Sequence, residues 1–305
     1  MPSQKNQCLL TDQLLKGLWE TINPSGSRGL FVILRGFIDE SYDKQIFVLS
    51  ILVAVGTDWR WLSRDWLACI EKKNQQLRAE GRSPITRFHA SQCNARDKEY
   101  KGWSREEQIE FMSQLIKILG RSRLHSSGWA VDMEAFDKVF PAAQRPPNLD
   151  VPGFVYRMLI KFMMVDLARN FLAANPSIRI SLVHDRCDYD GMLADAFRQF
   201  LQDSDFKEES KCYISITPAS SMDVPPLQMV DLLSHENFKE TKRLHKSRAD
   251  ALRKRRRSFK VLIKQGNIEG GVHYIPIEAL RGLAHSIVKR QPGNAKIPNA
   301  LSPAE

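Results

Sequence analysis

The sequence predicts a mixed α/β protein, one sheet with antiparallel and parallel strands and helices on its faces. Two β-rich apolar runs, Leu30 to Ile38 and Gln45 to Val55, flank the polar turn Asp-Glu-Ser-Tyr-Asp-Lys, a hairpin pattern. After a third strand candidate, helical and extended patterns alternate, which packs helices against a sheet containing parallel strands. The apolar share, 43% of 305 residues, suffices for a globular core.

Each element follows from its local pattern. Residues 1–28 are polar apart from a short helical pattern, Leu9 to Ile22, and form an N-terminal extension. After the hairpin, residues 59–80 place Trp59, Trp66 and Leu77 at helical spacing among charges, and Arg87-Phe88-His89-Ala90 reads as a short strand or turn. Ser104 with Glu107 three residues on opens a helix over 104–120 with a capping box. Ser126 to Asp132 is the third strand, and four prolines make 141–152 a loop. A long helix over 153–174, a strand over 178–184, a helix over 190–202, a strand over 211–217 and a helix over 225–240 complete the order. If the third strand joins the hairpin, this is the order of a ribonuclease H-like core over 29–240, with 56–124 as a helical insertion. Residues 241–305 form a basic helical C-terminal extension, disordered from about 290.

Charge points to an anionic partner. The net charge is +10 and the pI about 9.4, so nucleic acid is the usual partner and a membrane surface the alternative. From Lys239 to Lys264 there are twelve Lys/Arg against two acids. The run Arg253, Lys254, Arg255, Arg256, Arg257 could grip phosphates independently of sequence; a solvated helical face or a localisation signal explains it equally well. No membrane span is expected: the run Ile46 to Gly56 is short and broken by Ser50, and 153–172 carries Arg157, Lys161, Asp166 and Arg169. Five cysteines without a C-x-x-C pair argue against a structural zinc site and for reduced thiols in the cytoplasm. A secretory signal pattern, a Walker A loop, G-x-G-x-x-G and G-x-S-x-G are all missing from the sequence.

The chemistry-bearing residues are carboxylates at the ends of predicted strands and on a late helix. Asp39 and Glu40 close the first strand. Strand neighbours point to opposite faces, so Asp39, in phase with Phe37, is the better ligand; alone, the pair could simply be turn-formers. Asp185 follows an apolar strand, where ligands gather beyond the carboxyl ends of parallel strands. Asp188 and Asp190 fit caps of the helix beginning near Gly191. The pair His184-Asp185 resembles that of the helical HD phosphohydrolases, but here it ends a strand. Asp231 interrupts Leu227, Met229, Val230, Leu232 and Leu233, so it must face solvent, pair or bind a metal. Gln228 and His235 share its helical face, and His235 could orient water or assist product release. Glu236 is a reserve acid. His89 has no clear place from pattern alone.

Phe37-Ile-Asp-Glu-Ser41, Phe88-His-Ala90, the strand-end Asp185 and Pro226-Leu-Gln-Met-Val-Asp-Leu-Leu233 together resemble the DUF3800 family, a set with a predicted ribonuclease H-like fold, over residues 30 to 240. The family's first motif usually reads Asp-Glu-Ser-Gly, with Tyr42 here in place of the glycine; its late motif usually reads Leu-Gln-Leu-Ala-Asp-Leu. The resemblance implies Asp39, Asp185 and Asp231 as an acidic centre, with Glu40 and His89 as motif neighbours, in a mobile-element or phage-defence setting. The expected function is a Mg²⁺- or Mn²⁺-dependent nuclease whose carboxylates hold one or two ions. Two alternatives stand beside it: a catalytically silent nucleic-acid-binding module, and an interaction protein that meets its partner through 56–124.

Overall fold

Strict alternation along two strands sets the architecture. In β1 (Val32–Tyr42), Leu34 and Ile38 enter one core and Phe37 the other; in β2 (Ile46–Val55), Phe47, Leu49, Ile51 and Val53 enter the first, Leu52 and Ala54 the second. Because β2 is buried on both faces, it can only be an internal strand. The computed structural model describes residues 32–122, 124–146, 149–246, 256–265, 268–269 and 271–289. The expected extension 1–28, the expected disordered end 290–305 and Arg253, Lys254 and Arg255 lie outside the described residues.

β1 pairs antiparallel with β2, and β2 antiparallel with β3 (Leu124–Asp132). β4 (Ile178–Asp185) lies beside β1 and pairs in parallel with β5 (Tyr213–Ala219). At the far edge, the short β6 (Ile268–Glu269) and β7 (Val272–Ile275) both pair in parallel with β3. The sheet order is β5-β4-β1-β2-β3-β6, with β7 also on β3. The third strand thus joins the hairpin, a point the sequence had left conditional. The expected change of character at residue 240 falls inside a helix, α8 (Pro225–Lys246), and the chain beyond it supplies α9 (Arg257–Gln265), β6, β7 and α10 (Ile277–Lys289). Phe259, Leu262, Ile275 and Leu280 of this segment are buried. Runs so short among so many charges carry no strand period, which is why the sequence read as a tail.

Each face of the sheet is covered by its own helices. One core holds α5 (Val151–Ala174) and α6 (Asp190–Gln202); the other holds α1 (Gly56–Ala79), α3 (Arg105–Leu119) and α8. Helix α5 carries Met158, Leu159, Met163 and Leu167 into its core, and its first turn is capped by Asp150, which accepts from Gly153 N at 2.8 Å. The capping box of α3 is present: Glu107 N donates to Ser104 Oγ and Ser104 N to Glu107 Oε2. The segment between β2 and β3 holds α1, α2 (Ala90–Ala95) and α3. Helices α2, α4 (Met133–Val139) and α7 (Lys207–Ser210) are too short to show a helical period in the sequence. Thr86 and Arg87 form a bend ahead of α2, and Phe88 and His89 follow it as irregular chain, neither strand nor turn.

The first strand runs further than expected. It includes Asp39 to Tyr42, with Glu40 opposite Leu49 and Tyr42 opposite Phe47. Asp43 makes the turn: its Oδ1 accepts from Gln45 N and Ile46 N at 2.8 and 3.0 Å. Asp39 and Glu40 are therefore strand residues, and turn formation does not account for them. No described helix is long and apolar enough to cross a membrane.

Gly36 fixes how closely β1 can lie against its neighbours. A Cβ there would stand 2.8 Å from Ile51 Cδ1 and 2.9 Å from Leu182 Cδ2, two fully buried side chains. Gly36→Ala should lower stability by about 1–3 kcal/mol through overpacking. The readout is a lower urea midpoint at unchanged m-value.

Candidate functional site

Strands β1 and β4, the bend before α2 and helix α8 meet at one cleft of about 390 Å³, lined among others by Asp39, Glu40, His89, Asp185, Asp231 and His235. The six residues expected to carry the chemistry line it together, from four separate parts of the chain.

Asp231 is held by the bend. Its Oδ2 accepts from Ala90 N at 2.8 Å and lies 3.1 Å from His89 Nδ1. His89 therefore has a clear position that pattern could not supply: it pairs with Asp231 while about a third of its side chain stays exposed to the cleft. Gln228 does not continue this stripe into the cleft. It is buried, its Oε1 accepts from Phe88 N at 3.0 Å and Trp66 Nε1 at 3.1 Å, and its Nε2 donates to Ser221 O at 2.7 Å.

Asp185 closes β4 opposite Ala219. Its Oδ1 accepts from Arg186 N and Ser221 N, both at 3.0 Å, and its Oδ2 from Ser221 Oγ at 2.7 Å. Arg87 Nη1 donates to Ser221 Oγ and stands 3.9 Å from Asp185 Oδ2. Arg87 and Ser221 are cleft residues that sequence reasoning missed. Ser221 was findable, since it lies just beyond the carboxyl end of β5, the strand parallel to the one that Asp185 closes.

Asp39 and Glu40 lean to opposite sides of β1, as strand alternation requires. Asp39 interacts with Asp231 and Asp185, and its carbonyl accepts from Ser234 Oγ of α8 at 3.2 Å. Glu40 instead lies near the buried Tyr156 of α5. Asp39 Oδ2 is sealed from solvent and has no hydrogen-bond partner. Burial first, then the charges of Asp231, Glu40 and Asp185, push the Asp39 carboxyl well above the usual carboxylate range. Burial also raises Glu40 to about 7, helped by Asp185 and Asp231 and opposed by Tyr156. Four acids in one cleft with an unpartnered buried oxygen form a site short of positive charge.

His235 lines the cleft with its Nε2 buried and unpartnered. Burial, with Lys239, Arg256 and His89 nearby, lowers it to about 3, so the ring is neutral at pH 7. Glu236 points elsewhere. Only 1% exposed, it accepts from Ser258 Oγ at 2.7 Å and lies 3.5 Å from Arg256 Nη1. Arg256, expected to contact phosphate, here lies beside α8. Its backbone N–H donates to Glu240 Oε2 at 3.2 Å and its guanidinium turns inward, because buried carboxylates on α8 need a cation. Arg257 opens α9.

Asp190 is the first residue of α6, not its cap, and its Oδ1 accepts from Cys187 N at 3.0 Å. Among the described residues, one group of potential metal ligands has atoms all within 4.8 Å of one another: His184, Cys187 and Asp190. Its donors are engaged locally, His184 Nδ1 with Asp185 O at 3.0 Å and Asp190 with the Cys187 backbone. Burial pushes the Cys187 thiol up to about 12. The group therefore reads as the turn that starts α6. Comparison with protein-family models, with curated proteins and with solved structures finds no match.

The cluster predicts a pH dependence of stability in metal-free protein. Carboxyls raised above their unfolded values keep protons that the unfolded chain has released. Stability should therefore fall as pH rises from about 4.5, the ordinary glutamate value, to about 7, where Glu40 ionises. Melting midpoints in EDTA across this range should drop, and Mn²⁺ should restore them at pH 7. Asp39→Asn should raise the EDTA midpoint at pH 7 and shrink the Mn²⁺ effect; an unchanged Mn²⁺ effect would remove Asp39 from the ligand set.

Proposed function

We propose that this protein is a divalent-metal-dependent nuclease on a ribonuclease H-like fold, hydrolysing phosphodiester bonds of nucleic acid. One observation carries the reading: Asp39, Asp185 and Asp231, from β1, β4 and α8, line one cleft in which a buried Asp39 oxygen has no partner. The sheet order β5-β4-β1-β2-β3, antiparallel from β1 to β3 and parallel from β4 to β5, supports the fold part. The motif residues that resemble the DUF3800 family are the ones gathered in the cleft or bracing it.

The donor set fits Mg²⁺ or Mn²⁺, hard cations that prefer carboxylate oxygens. Oxygens sharing one Mg²⁺ lie within about 4 Å of each other, and no three of the cleft acids are grouped that tightly. Asp39, Asp185 and Asp231 would be the residues to hold one or two such ions, their carboxylates drawing together around the charge. Cations so held supply Lewis acidity toward a phosphate and toward water. The chain's own residues supply the rest. Glu40, with its proton equilibrium near 7, can hold or take up a proton beside the acids. Asp231 orients His89 through Nδ1, leaving the rest of the ring to the cleft. Arg87 and Arg186 offer positive charge to a phosphate at the cleft wall.

A second reading has its own observation. Protein donors already bond both oxygens of Asp185, with Arg87 beside them. A chain that fills a ligand's lone pairs this way could bind nucleic acid without cutting it. Labelled single- and double-stranded DNA, RNA and an RNA–DNA hybrid, each with Mg²⁺, Mn²⁺ and EDTA, separate the two. The nuclease reading expects metal-dependent cutting that Asp39→Asn and Asp185→Asn each reduce at least a hundredfold in folded protein. Full activity in either variant would overturn the assignment. Salt-sensitive binding with no cutting would support the silent module.

A further inference from the structure

We propose that Tyr42 is a base-stacking platform and that the cleft takes an unpaired nucleic acid strand, an inference that rests on nucleic acid being the ligand. Tyr42 ends β1 two residues after Glu40 and lines the cleft. It stands where the motif it resembles carries glycine, so it is a feature of this chain. One ring face lies stacked on Phe47, with centroids 5.1 Å apart and planes at 13°. Phe47 is itself completely buried and packs on Tyr156. The Tyr42 ring is thus backed by the core and held at a fixed tilt, yet the residue is 46% exposed. A ring has two faces; with one covered by Phe47, the exposed surface is the outer face and its edges.

A large aromatic left half bare beside buried acids contributes little to the core. It offers a flat apolar surface to a flat ligand. Bases stack on such rings without sequence preference, and each stack is worth roughly a five- to hundredfold change in affinity. A base within a duplex is stacked and paired already, so only an unpaired base can use the platform. The cleft volume, about 390 Å³, is that of a small-ligand pocket, enough to receive one nucleotide turned out of its strand. Arg186, also in the cleft lining, is exposed and follows directly on Asp185, a cation available to the backbone of a strand whose base lies on Tyr42.

The test uses the full chain in EDTA, where binding is read without cleavage. Anisotropy is measured with a labelled single-stranded oligonucleotide, the same strand with abasic positions, and a duplex. A 2-aminopurine strand reports stacking by quenching of its fluorescence. Wild type should prefer the base-bearing single strand and quench 2-aminopurine. Tyr42→Ala should weaken that strand about tenfold, leave the abasic strand and duplex unchanged, and abolish the quench; Tyr42→Phe should behave as wild type. Equal losses on all three ligands, wild-type affinity that ignores missing bases, or no binding at all would overturn the proposal. The abasic comparison needs wild type alone, so it decides even if Tyr42→Ala does not fold. Cleavage of the same ligands in Mn²⁺ is scored separately. Cutting without base-dependent binding would sink the platform and keep the nuclease; base-dependent binding without cutting would do the reverse.

Discussion

The side-chain amide of Gln228 is the joint on which the cleft depends. It accepts from Phe88 N and Trp66 Nε1 and donates to Ser221 O, tying α8 to the bend before α2, to α1 and to the loop after β5. Each of those pieces carries or steadies a cleft residue. The bend presents His89 and Ala90 N to Asp231, and the loop presents Ser221 to Asp185. An amide is suited to this place because it is both donor and acceptor yet uncharged, so it meets three partners in a buried position without adding to the local charge. A glutamate there would lose the donor and add a further negative charge near an already crowded acid cluster.

That joint holds together groups that repel one another. Asp39, Glu40, Asp185 and Asp231 interact electrostatically, and burial adds to the cost of ionising the two on β1. The surrounding fold has to supply the compensation. Ser50 of β2, opposite Asp39, is bonded to Asn237 of α8 at 2.9 Å, and Ser234 on the same helix reaches the Asp39 carbonyl. Helix α8 is therefore anchored to the sheet by polar contacts as well as by Leu227, Val230 and Leu233. Behind it, Arg243, Arg256 and Ser258 satisfy Glu236 and Glu240. From the basic segment after α8, Arg256 thus places its guanidinium beside the buried Glu236.

Much of this was legible in the sequence because long periodic elements leave long signals. The hairpin, the third strand, α1, α3, α5, β4, α6, β5 and α8 follow from runs of at least seven residues that are either periodic or, as in β2 and α5, predominantly apolar, and Ser104 with Glu107 marked a helix start to the residue. Asp39, Asp185 and Asp231 could be found because each is an acid set into an apolar run, where it needs a reason to be. What escaped was of two kinds. Short elements, such as α2, α4, β6 and β7, have no room for a period. Tertiary roles leave no local trace: Gln228 as a joint, His89 as the partner of Asp231, and Arg256 turned inward depend on residues more than a hundred positions away or on how a basic segment folds back.

The two neighbouring acids of β1 show how placement on a strand can divide labour. Alternation sends Asp39 toward α8, among Asp231 and Asp185, and Glu40 toward α5 and Tyr156. Had the turn begun at Asp39, both side chains would have been free to swing together toward solvent. Because Asp43 makes the turn instead, the ladder continues past both acids and fixes them on opposite sides of the backbone. The same extension carries Tyr42 onto Phe47. One capping aspartate, three residues beyond the acids, thus decides that Asp39 meets its distant partners, that Glu40 lies beside Tyr156 while still feeling the charges of Asp185 and Asp231, and that an aromatic ring stands at the rim.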